Sequence, residues 1–321
     1  MSSENWLYLI IGLVVFNFLF STVLDFVNGK NWRTEIPPVM KDFYDEKKYV
    51  KAKNYSKEKG AISYISSTIS LVITLFLLYF EGYGWINDKI GDYYNIPFLQ
   101  SALFFLVIFI ISDIIAIPFS CYNNFVIEEK YGFNKMTIKT FLLDKIKNYL
   151  LTILVGGILL FGAMYIVSIL ENGFWVWLWG SLSLIMLFLN MFYADLIVPI
   201  FNKLTPLETG TLREKIESYT KKVGYSLKNI YIIDGSKRSS KANAFFSGLG
   251  PRKTIALYDT LVEKHTEEEL VAVLAHEVGH YQKKHVFTSL FLTICQLGLM
   301  CFLLELCLKQ PEISQSLGGK E

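Results

Sequence analysis

The chain has 321 residues, of which 52% are apolar, 16% are aromatic and only 19% are charged. Its mean hydropathy of +0.36 excludes an ordinary soluble domain, because so much apolar surface needs lipid as well as a protein core to leave water. The net charge of +2 is too small to indicate a nucleic acid as partner.

Six segments are apolar enough to cross a lipid bilayer, which takes about 20 largely apolar residues. In chain order they are 6–27, 62–80, 99–120, 149–170, 174–200 and 286–308. We interpret the first segment as a true span, since it is longer than the apolar part of a signal peptide and no basic residue precedes it. The sequence therefore predicts an α-helical multi-pass membrane protein.

The six spans divide the chain into three predicted parts. Residues 1–200 form an N-terminal transmembrane region with five spans, residues 201–285 a soluble insert, and residues 286–321 the sixth span with a polar tail. The lysine-rich stretch 41–59 is predicted to be a solvated helical connector. The conspicuous polar motifs lie mainly in the insert, where we expect the chemistry.

The positive charges predict the orientation in the membrane. If the N-terminus lies outside, the segments 28–61, 121–148 and 201–285 face the cytosol and hold 9, 5 and 14 of the 31 Lys and Arg residues. Because cytosolic loops carry an excess of Lys and Arg, this bias places the N-terminus outside and the insert in the cytosol.

The insert has the pattern of a small α+β domain. Its predicted elements are a helix over 211–223, a strand over 229–233, a hairpin of 242–246 and 254–258 turning at 247–251, and a helix from Thr266. Thr266 and Glu269 form the T-x-x-E pattern of a capping box, which stabilises a helix N-terminus.

The sequence His276-Glu277-Val278-Gly279-His280 lies on this last helix. Two histidines four residues apart share one helix face and can hold one zinc ion, while Glu277 can hydrogen-bond a water molecule and act as general base. The competing interpretation is two surface histidines, which the capped helix and the span just after it disfavour. His265 and His285 are interpreted as solvated or interfacial, unless a bend brings His285 to the site.

Two further motifs allow more than one interpretation. The sequence Lys241-Ala242-Asn243-Ala244-Phe245-Phe246-Ser247-Gly248 is either an edge strand that binds an extended peptide or an ordinary hairpin with aromatic core residues. The sequence E-E-K-Y-G-F-N-K at 128–135 is either a charged turn or part of a functional site. The residues alone leave both questions open.

Together the motifs at 128–135, 234–248 and 276–281 resemble the CAAX prenyl protease 1 family of membrane zinc proteases, also called the Ste24 type. The resemblance implies a transmembrane helical barrel around a chamber, with a cytosolic M48-type metalloprotease insert. It assigns one Zn²⁺ to His276 and His280, the general base to Glu277, and a strand lining the substrate to Asn243 and Ala244. Eukaryotic members remove the last three residues of prenylated CAAX proteins, and some also make an upstream cut.

The chain departs from the family pattern at two places. Lys241 stands where many members have a histidine. The family's third zinc ligand is a glutamate on a helix well beyond the H-E-x-x-H motif, and no glutamate of this chain has that context: Glu305 lies inside a span and Glu312 in the tail. We therefore expect a C-terminally shortened form whose third ligand is not present in this chain, with weak zinc affinity.

The leading hypothesis is a zinc-dependent membrane endopeptidase whose partners are the lipid bilayer and a peptide or protein substrate, prenylated in CAAX processing. The alternatives are a membrane-protein quality-control protease without a prenyl requirement and a catalytically impaired scaffold. Compact loops favour the bacterial inner membrane over the endoplasmic reticulum.

Overall fold

The computed structural model of the chain describes residues 1–33, 35–42, 45–170, 172–225, 227, 229–247 and 253–319. Most of the predicted turn at 247–251 lies outside these residues. The α-helices within the described ranges are α1 (Ser3–Lys30), α2 (Glu46–Tyr79), α3 (Gly82–Gly91), α4 (Pro97–Tyr122), α5 (Ile138–Leu151), α6 (Gly157–Ile169), α7 (Phe174–Leu196), α8 (Val198–Phe201), α9 (Thr211–Lys222), α10 (Asp259–Lys264), α11 (Glu267–Gln282), α12 (His285–Leu308) and α13 (Pro311–Ser316).

Six helical segments in the described part of the chain are long and apolar enough to cross a membrane. They are Ser3–Lys30, Glu46–Tyr79, Pro97–Glu128, Ile138–Ile169, Phe174–Leu196 and His285–Leu308. The prediction of six spans is confirmed, and the predicted helical connector 41–59 is largely the first half of α2. Large apolar side chains such as Leu13 and Phe16 are exposed on α1, as expected for a surface in contact with lipid.

The insert contains one four-stranded sheet, as the predicted α+β pattern requires. Its strands are β1 (Leu204–Pro206), β2 (Asn229–Ile233), β3 (Ala244–Ser247) and β4 (Thr254–Tyr258), in the order β1-β2-β4-β3. β2 and β4 are parallel in the centre, whereas β1 and β3 are antiparallel edge strands. The predicted bounds of β2 and β4 are correct, but the strand predicted over 242–246 begins two residues later.

By its internal contacts the chain forms two compact units, residues 1–132 with 306–321 and residues 133–305. In the first unit, the beginning of the 128–135 motif binds α2. Glu128 is buried and accepts a hydrogen bond from Tyr55, while Glu58 accepts hydrogen bonds from Lys130 at 2.6 Å and Tyr131 at 2.9 Å. This part of the motif therefore has a structural role.

The polar tail after the sixth span also belongs to the first unit. It forms the short helix α13, which contacts α1. The backbone of Leu317 accepts a hydrogen bond from the N–H of Gly84 at 2.9 Å. A Cβ atom on Gly84 would lie 2.0 Å from the Gly318 carbonyl oxygen, so only glycine permits this close approach.

In the second unit, a single hydrophobic core joins the sheet to α9 and α11. Its fully buried side chains include Ile216 of α9, Ile255 and Leu257 of β4, and Leu270 and Leu274 of α11. Because the spacing of four residues on α11 follows one face of a helix, this core fixes the rotation of α11 about its axis. The opposite face of α11 remains available for chemistry.

Candidate metal centre

The helix α11 begins with the predicted capping box. The N–H of Glu269 donates to Thr266 Oγ1 at 3.3 Å, and the N–H of Thr266 donates to Glu269 Oε2 at 2.9 Å. The two side chains thereby bind N–H groups at the helix start that have no partner within the helix. The prediction of a helix starting after Thr266 is confirmed.

His276 and His280 lie on the exposed side of α11. They follow the buried Leu274 and Val278 by two residues each, which places them about 200° round the helix from the core face. Their Nε2 atoms are 3.2 Å apart, and the ring centroids are 4.8 Å apart. Two nitrogen ligands of a tetrahedral zinc ion are about 3.3 Å apart, so the two imidazoles fit one shared ion.

Glu277 lies between the two histidines in sequence and is half-buried. Its carboxylate makes no hydrogen bond or ion pair with any residue of the described ranges. A carboxylate in this position is free to accept a hydrogen bond from a water molecule beside the histidines.

His285 lies closer to the pair than its place in the sequence suggested. Lys284 adopts a φ of 58°, a left-handed conformation that is unfavourable for residues other than glycine and that separates α11 from α12. As a result, Nδ1 of His285 is 2.8 Å from Nδ1 of His280. His285 is exposed, which agrees with the interpretation of a solvated or interfacial residue, and the alternative of a bend at this point anticipated its contact with His280.

The C-terminal turn of α11 is anchored by aromatic contacts. The ring of Tyr281 lies edge-on to the ring of Tyr225, with the ring centroids 5.0 Å apart. The ammonium group of Lys253, which is 5% exposed as a residue, lies 3.6 Å from the Tyr281 ring centroid and 4.4 Å from that of Tyr225. This cation–π contact fixes the backbone next to His280.

The described residues contain no cluster of three His, Cys, Asp or Glu side chains arranged to hold a metal ion. The donor set present therefore fits two ligands of a zinc ion and not a complete set. Glu305 is not the missing ligand, because it lies 20 residues beyond His285 on α12, about 30 Å along a straight helix. Its carboxylate instead binds the N–H groups of Gly173 at 3.0 Å and Trp175 at 3.1 Å, at the start of α7.

The edge strand β3 lies against the helix of the histidines. Ala244 and Phe246 pack on the core that contains Leu274 and Val278. Among the described residues β3 pairs only with β4, so its other edge is unpaired. Asn243 is exposed just before the strand, and its Oδ1 accepts the N–H of Ala244 at 2.9 Å.

Residues before β3 tie the insert to the preceding helices of the same unit. Arg238 donates two hydrogen bonds to Asp144 on α5, at 2.7 and 2.8 Å, and one to the Phe201 carbonyl at 2.7 Å. The carboxylate of Asp144 raises the pKa of the Arg238 guanidinium. The ammonium group of Lys241 lies 4.7 Å from the Phe133 ring centroid. The first part of the motif 234–248 therefore makes structural contacts, and its last part forms the edge strand β3.

Two family profiles match almost the whole chain. The profile of the CAAX prenyl protease N-terminal region, described as five membrane helices, matches residues 28–203. The profile of peptidase family M48 matches residues 206–316 and includes the H-E-x-x-H helix.

Individual proteins are similar over most of the chain. The probable CAAX prenyl protease 1 of Schizosaccharomyces pombe is 37% identical over 84% of this chain and 59% of its own length, and the CAAX prenyl protease 1 of Saccharomyces cerevisiae is 34% identical over 88% and 65%. The chain thus spans less than two thirds of these two relatives.

A solved structure gives the same result for the fold. The crystal structure of S. mikatae Ste24p superposes with a TM-score of 0.89 at 32% sequence identity, over 97% of this chain and 74% of that one. The N-terminal profile alone covers more than half of the 321 residues. The chain therefore belongs to the CAAX prenyl protease 1 family, a family of multi-pass membrane proteins with an M48 peptidase region.

Proposed function

We propose that this chain is a zinc-dependent membrane endopeptidase that hydrolyses peptide bonds with an activated water molecule. The observation that carries the proposal is the 3.2 Å separation of the His276 and His280 Nε2 atoms, beside a Glu277 carboxylate on the same helix that has no partner among the described residues. The membership in the M48 peptidase family supports the same chemistry.

In this proposal His276 and His280 would hold the zinc ion through their Nε2 atoms. Zinc, when bound, supplies Lewis acidity that lowers the pKa of water toward about 7. Glu277 accepts a proton from the attacking water at its carboxylate and later donates it to the leaving amine. His285 accepts the N–H of His280 Nδ1 and so presents the Nε2 lone pair of His280 to the metal.

The substrate is proposed to lie as an extended strand along the free edge of β3. Asn243 and Ala244 then contact its backbone, since an edge strand binds a peptide through main-chain hydrogen bonds. The packing of β3 on α11 supports this assignment, because it brings the peptide to the helix that carries the histidines.

The substrate class is proposed from the names of the relatives, which are CAAX prenyl proteases. A prenylated protein whose last three residues are removed is therefore the leading candidate. The incomplete set of metal ligands among the described residues favours one second candidate, a membrane scaffold with impaired catalysis.

We also propose a location and an orientation. The similar proteins named above come from yeasts, which favours an internal eukaryotic membrane such as the endoplasmic reticulum over the bacterial inner membrane. The distribution of Lys and Arg supports an outside N-terminus and a cytosolic insert.

Two peptides of one CAAX sequence, with and without a farnesyl group, test the proposed substrate. With the chain in lipid nanodiscs and zinc added, release of the C-terminal tripeptide is followed by mass spectrometry. We expect kcat/KM to be at least tenfold higher for the farnesylated peptide. Equal rates would support a quality-control protease instead, and bound zinc without turnover would support the scaffold.

A further inference from the structure

A cavity of about 640 Å³ lies in the unit formed by residues 1–132 and 306–321, which does not contain the candidate metal centre. It is bounded by the end of α2, by α3 and by the middle of α4. Its volume lies in the range of about 300–1,000 Å³ that is usual for sites of small organic ligands. The proposed peptidase chemistry uses none of its residues.

The wall of this cavity has one polar end and one apolar end. At the polar end, α3 and the turn after it contribute Trp85, Lys89 and Tyr93. The wall on α2 and α4 is aliphatic or aromatic, and it includes Phe76, Val107 and Ile111. Among the described residues that line the cavity, Lys89 is the only one with an ionised side chain. This distribution matches an amphiphile, a molecule with a polar head and an apolar chain.

The apolar end follows helices that are long enough to cross a membrane. Val107 and Ile111 lie 10 and 14 residues beyond Pro97 at the start of α4, a rise of about 15 and 21 Å. One leaflet takes up about 15 Å of the hydrocarbon thickness of a bilayer. Trp and Tyr side chains concentrate at the level of the lipid headgroups, and Trp85 and Tyr93 are 64% and 81% exposed. The cavity therefore extends from the headgroups to the acyl chains of one leaflet.

The charges at the polar end match a zwitterionic headgroup. Lys89 Nζ lies 3.0 Å from Asp92 Oδ2, and both side chains are more than half exposed. An exposed ion pair of this kind is weak, so its two groups exchange partners at little cost. A lipid phosphate can pair with Lys89 and a lipid ammonium group with Asp92, while the ring of Trp85 attracts the same cation. An anionic headgroup offers no cation to Asp92.

The helix α3 is fixed by contacts with other elements, so the polar end of the site is preformed. The N–H of Gly84 donates to the Leu317 carbonyl at 2.9 Å. Nε2 of Gln100 on α4 donates to the carbonyl oxygen and to Oδ1 of Asn87, both at 3.3 Å. Glu81, at the corner between α2 and α3, has a left-handed φ of 53°. A preformed site loses less conformational entropy when a ligand binds.

We propose that this cavity binds one bilayer phospholipid with a zwitterionic headgroup. Its phosphate lies at Lys89, its ammonium group at Asp92 and one acyl chain along α2 and α4. Phosphatidylcholine and phosphatidylethanolamine both carry this pair of charges. An apolar transmembrane helix of a second protein is the competing occupant, and it offers no phosphate to Lys89. The proposal does not depend on the peptidase activity.

The test measures lipid binding to the delipidated full chain in detergent by native mass spectrometry. Dioleoyl forms of phosphatidylcholine, phosphatidylethanolamine and phosphatidylglycerol, and dioleoylglycerol, are added separately at equal concentration. Ile111→Trp fills the apolar end, and Lys89→Glu reverses the charge at the polar end. Ile110→Trp is the matched control for the first variant, because Ile110 is 44% exposed on α4 outside the cavity wall. Lys139→Glu, at an exposed lysine of α5, is the control for the second.

We expect one retained zwitterionic phospholipid per chain, bound at least fivefold more tightly than phosphatidylglycerol or dioleoylglycerol. Ile111→Trp should weaken its binding at least fivefold, and Lys89→Glu should abolish the preference over dioleoylglycerol. Both controls should stay within twofold of the parent. The tighter of phosphatidylcholine and phosphatidylethanolamine identifies the headgroup. Equal binding of all four lipids, or an equal loss in a variant and its control, would overturn the proposal.

A second measurement locates the lipid while the chain is in a bilayer. The probe is phosphatidylcholine with a photo-crosslinker near the end of one acyl chain, supplied in nanodiscs. We expect labelled peptides around Phe76 on α2 and Val107 on α4, at least fivefold less labelled with Ile111→Trp but unchanged with Ile110→Trp. Labels spread evenly over all six apolar helical segments would contradict the proposal, as would a second protein crosslinked at these positions in place of the lipid.

Discussion

At the level of single residues, the contact between His285 and His280 is the main feature of the candidate metal centre that the sequence does not predict. A histidine that binds a metal ion is oriented by the partner of its second ring nitrogen, and for His280, a proposed ligand, that partner is the imidazole of His285 2.8 Å away. The contact depends on the left-handed conformation of Lys284, which turns the chain back toward α11.

This geometry predicts that His285→Ala lowers zinc affinity by about 10–100-fold, because loss of such a partner frees the ring of His280. Zinc affinity is measured by competition with a chromophoric chelator. His265→Ala is the matched control, since Nδ1 of His265 is instead 3.0 Å from the Leu261 carbonyl oxygen. Equal affinities of the parent and His285→Ala would refute the orienting role.

The proximity of His276 and His280 could be predicted from the sequence, because it depends only on helical periodicity and a local cap. It does not predict His285, because a single unusual φ decides that contact. An uninterrupted helix would place His285 about 140° away from His280. The residue type of Lys284 does not predict its left-handed backbone conformation, since lysine is a common residue in helices.

At the scale of secondary-structure elements, Glu305 is a buried carboxylate that caps a membrane helix. It is 6% exposed and binds two N–H groups at the start of α7, where the helix dipole favours a negative charge. Gly173 precedes this helix with a φ of 74°, a conformation that favours glycine.

We predict that Glu305→Ala destabilises the protein by about 1–3 kcal/mol, because the N–H groups of Gly173 and Trp175 lose their acceptor. Thermal unfolding in detergent should show a midpoint several degrees lower than that of the parent. Glu305→Gln retains an acceptor and should have a smaller effect. The exposed Glu208→Ala serves as control, and a midpoint shift for Glu305→Ala no larger than that of this control would contradict the capping role.

The local sequence pattern predicts some of the strands in the insert but not all of them. β2 and β4 are short β-branched and apolar runs, and their predicted bounds are correct. β1 was missed because Leu204-Thr205-Pro206 has no strand pattern of its own and pairs with β2 across more than twenty residues. Proline is tolerated there since β1 is an edge strand. β3 begins at Ala244, two residues later than predicted, although the carbonyl oxygen of Asn243 still accepts a hydrogen bond from the N–H of Tyr258 at 3.0 Å.

At the scale of the whole molecule, composition and span length predict the membrane class and the six crossing segments, because both depend on sums over many residues. The division into two compact units and the docking of α13 on α1 could not be predicted, since both arise from contacts between distant segments.

The proposed mechanism is tested most directly by hydrolysis of the farnesylated peptide by the parent and by Glu277→Gln, at equal protein concentration and saturating zinc. We expect bound zinc in both proteins, because Glu277 is proposed as the base and not as a ligand. We also expect a fall in kcat of at least 100-fold in the variant, in line with the usual contribution of a general base. Hydrolysis by Glu277→Gln at the rate of the parent would contradict the proposed mechanism.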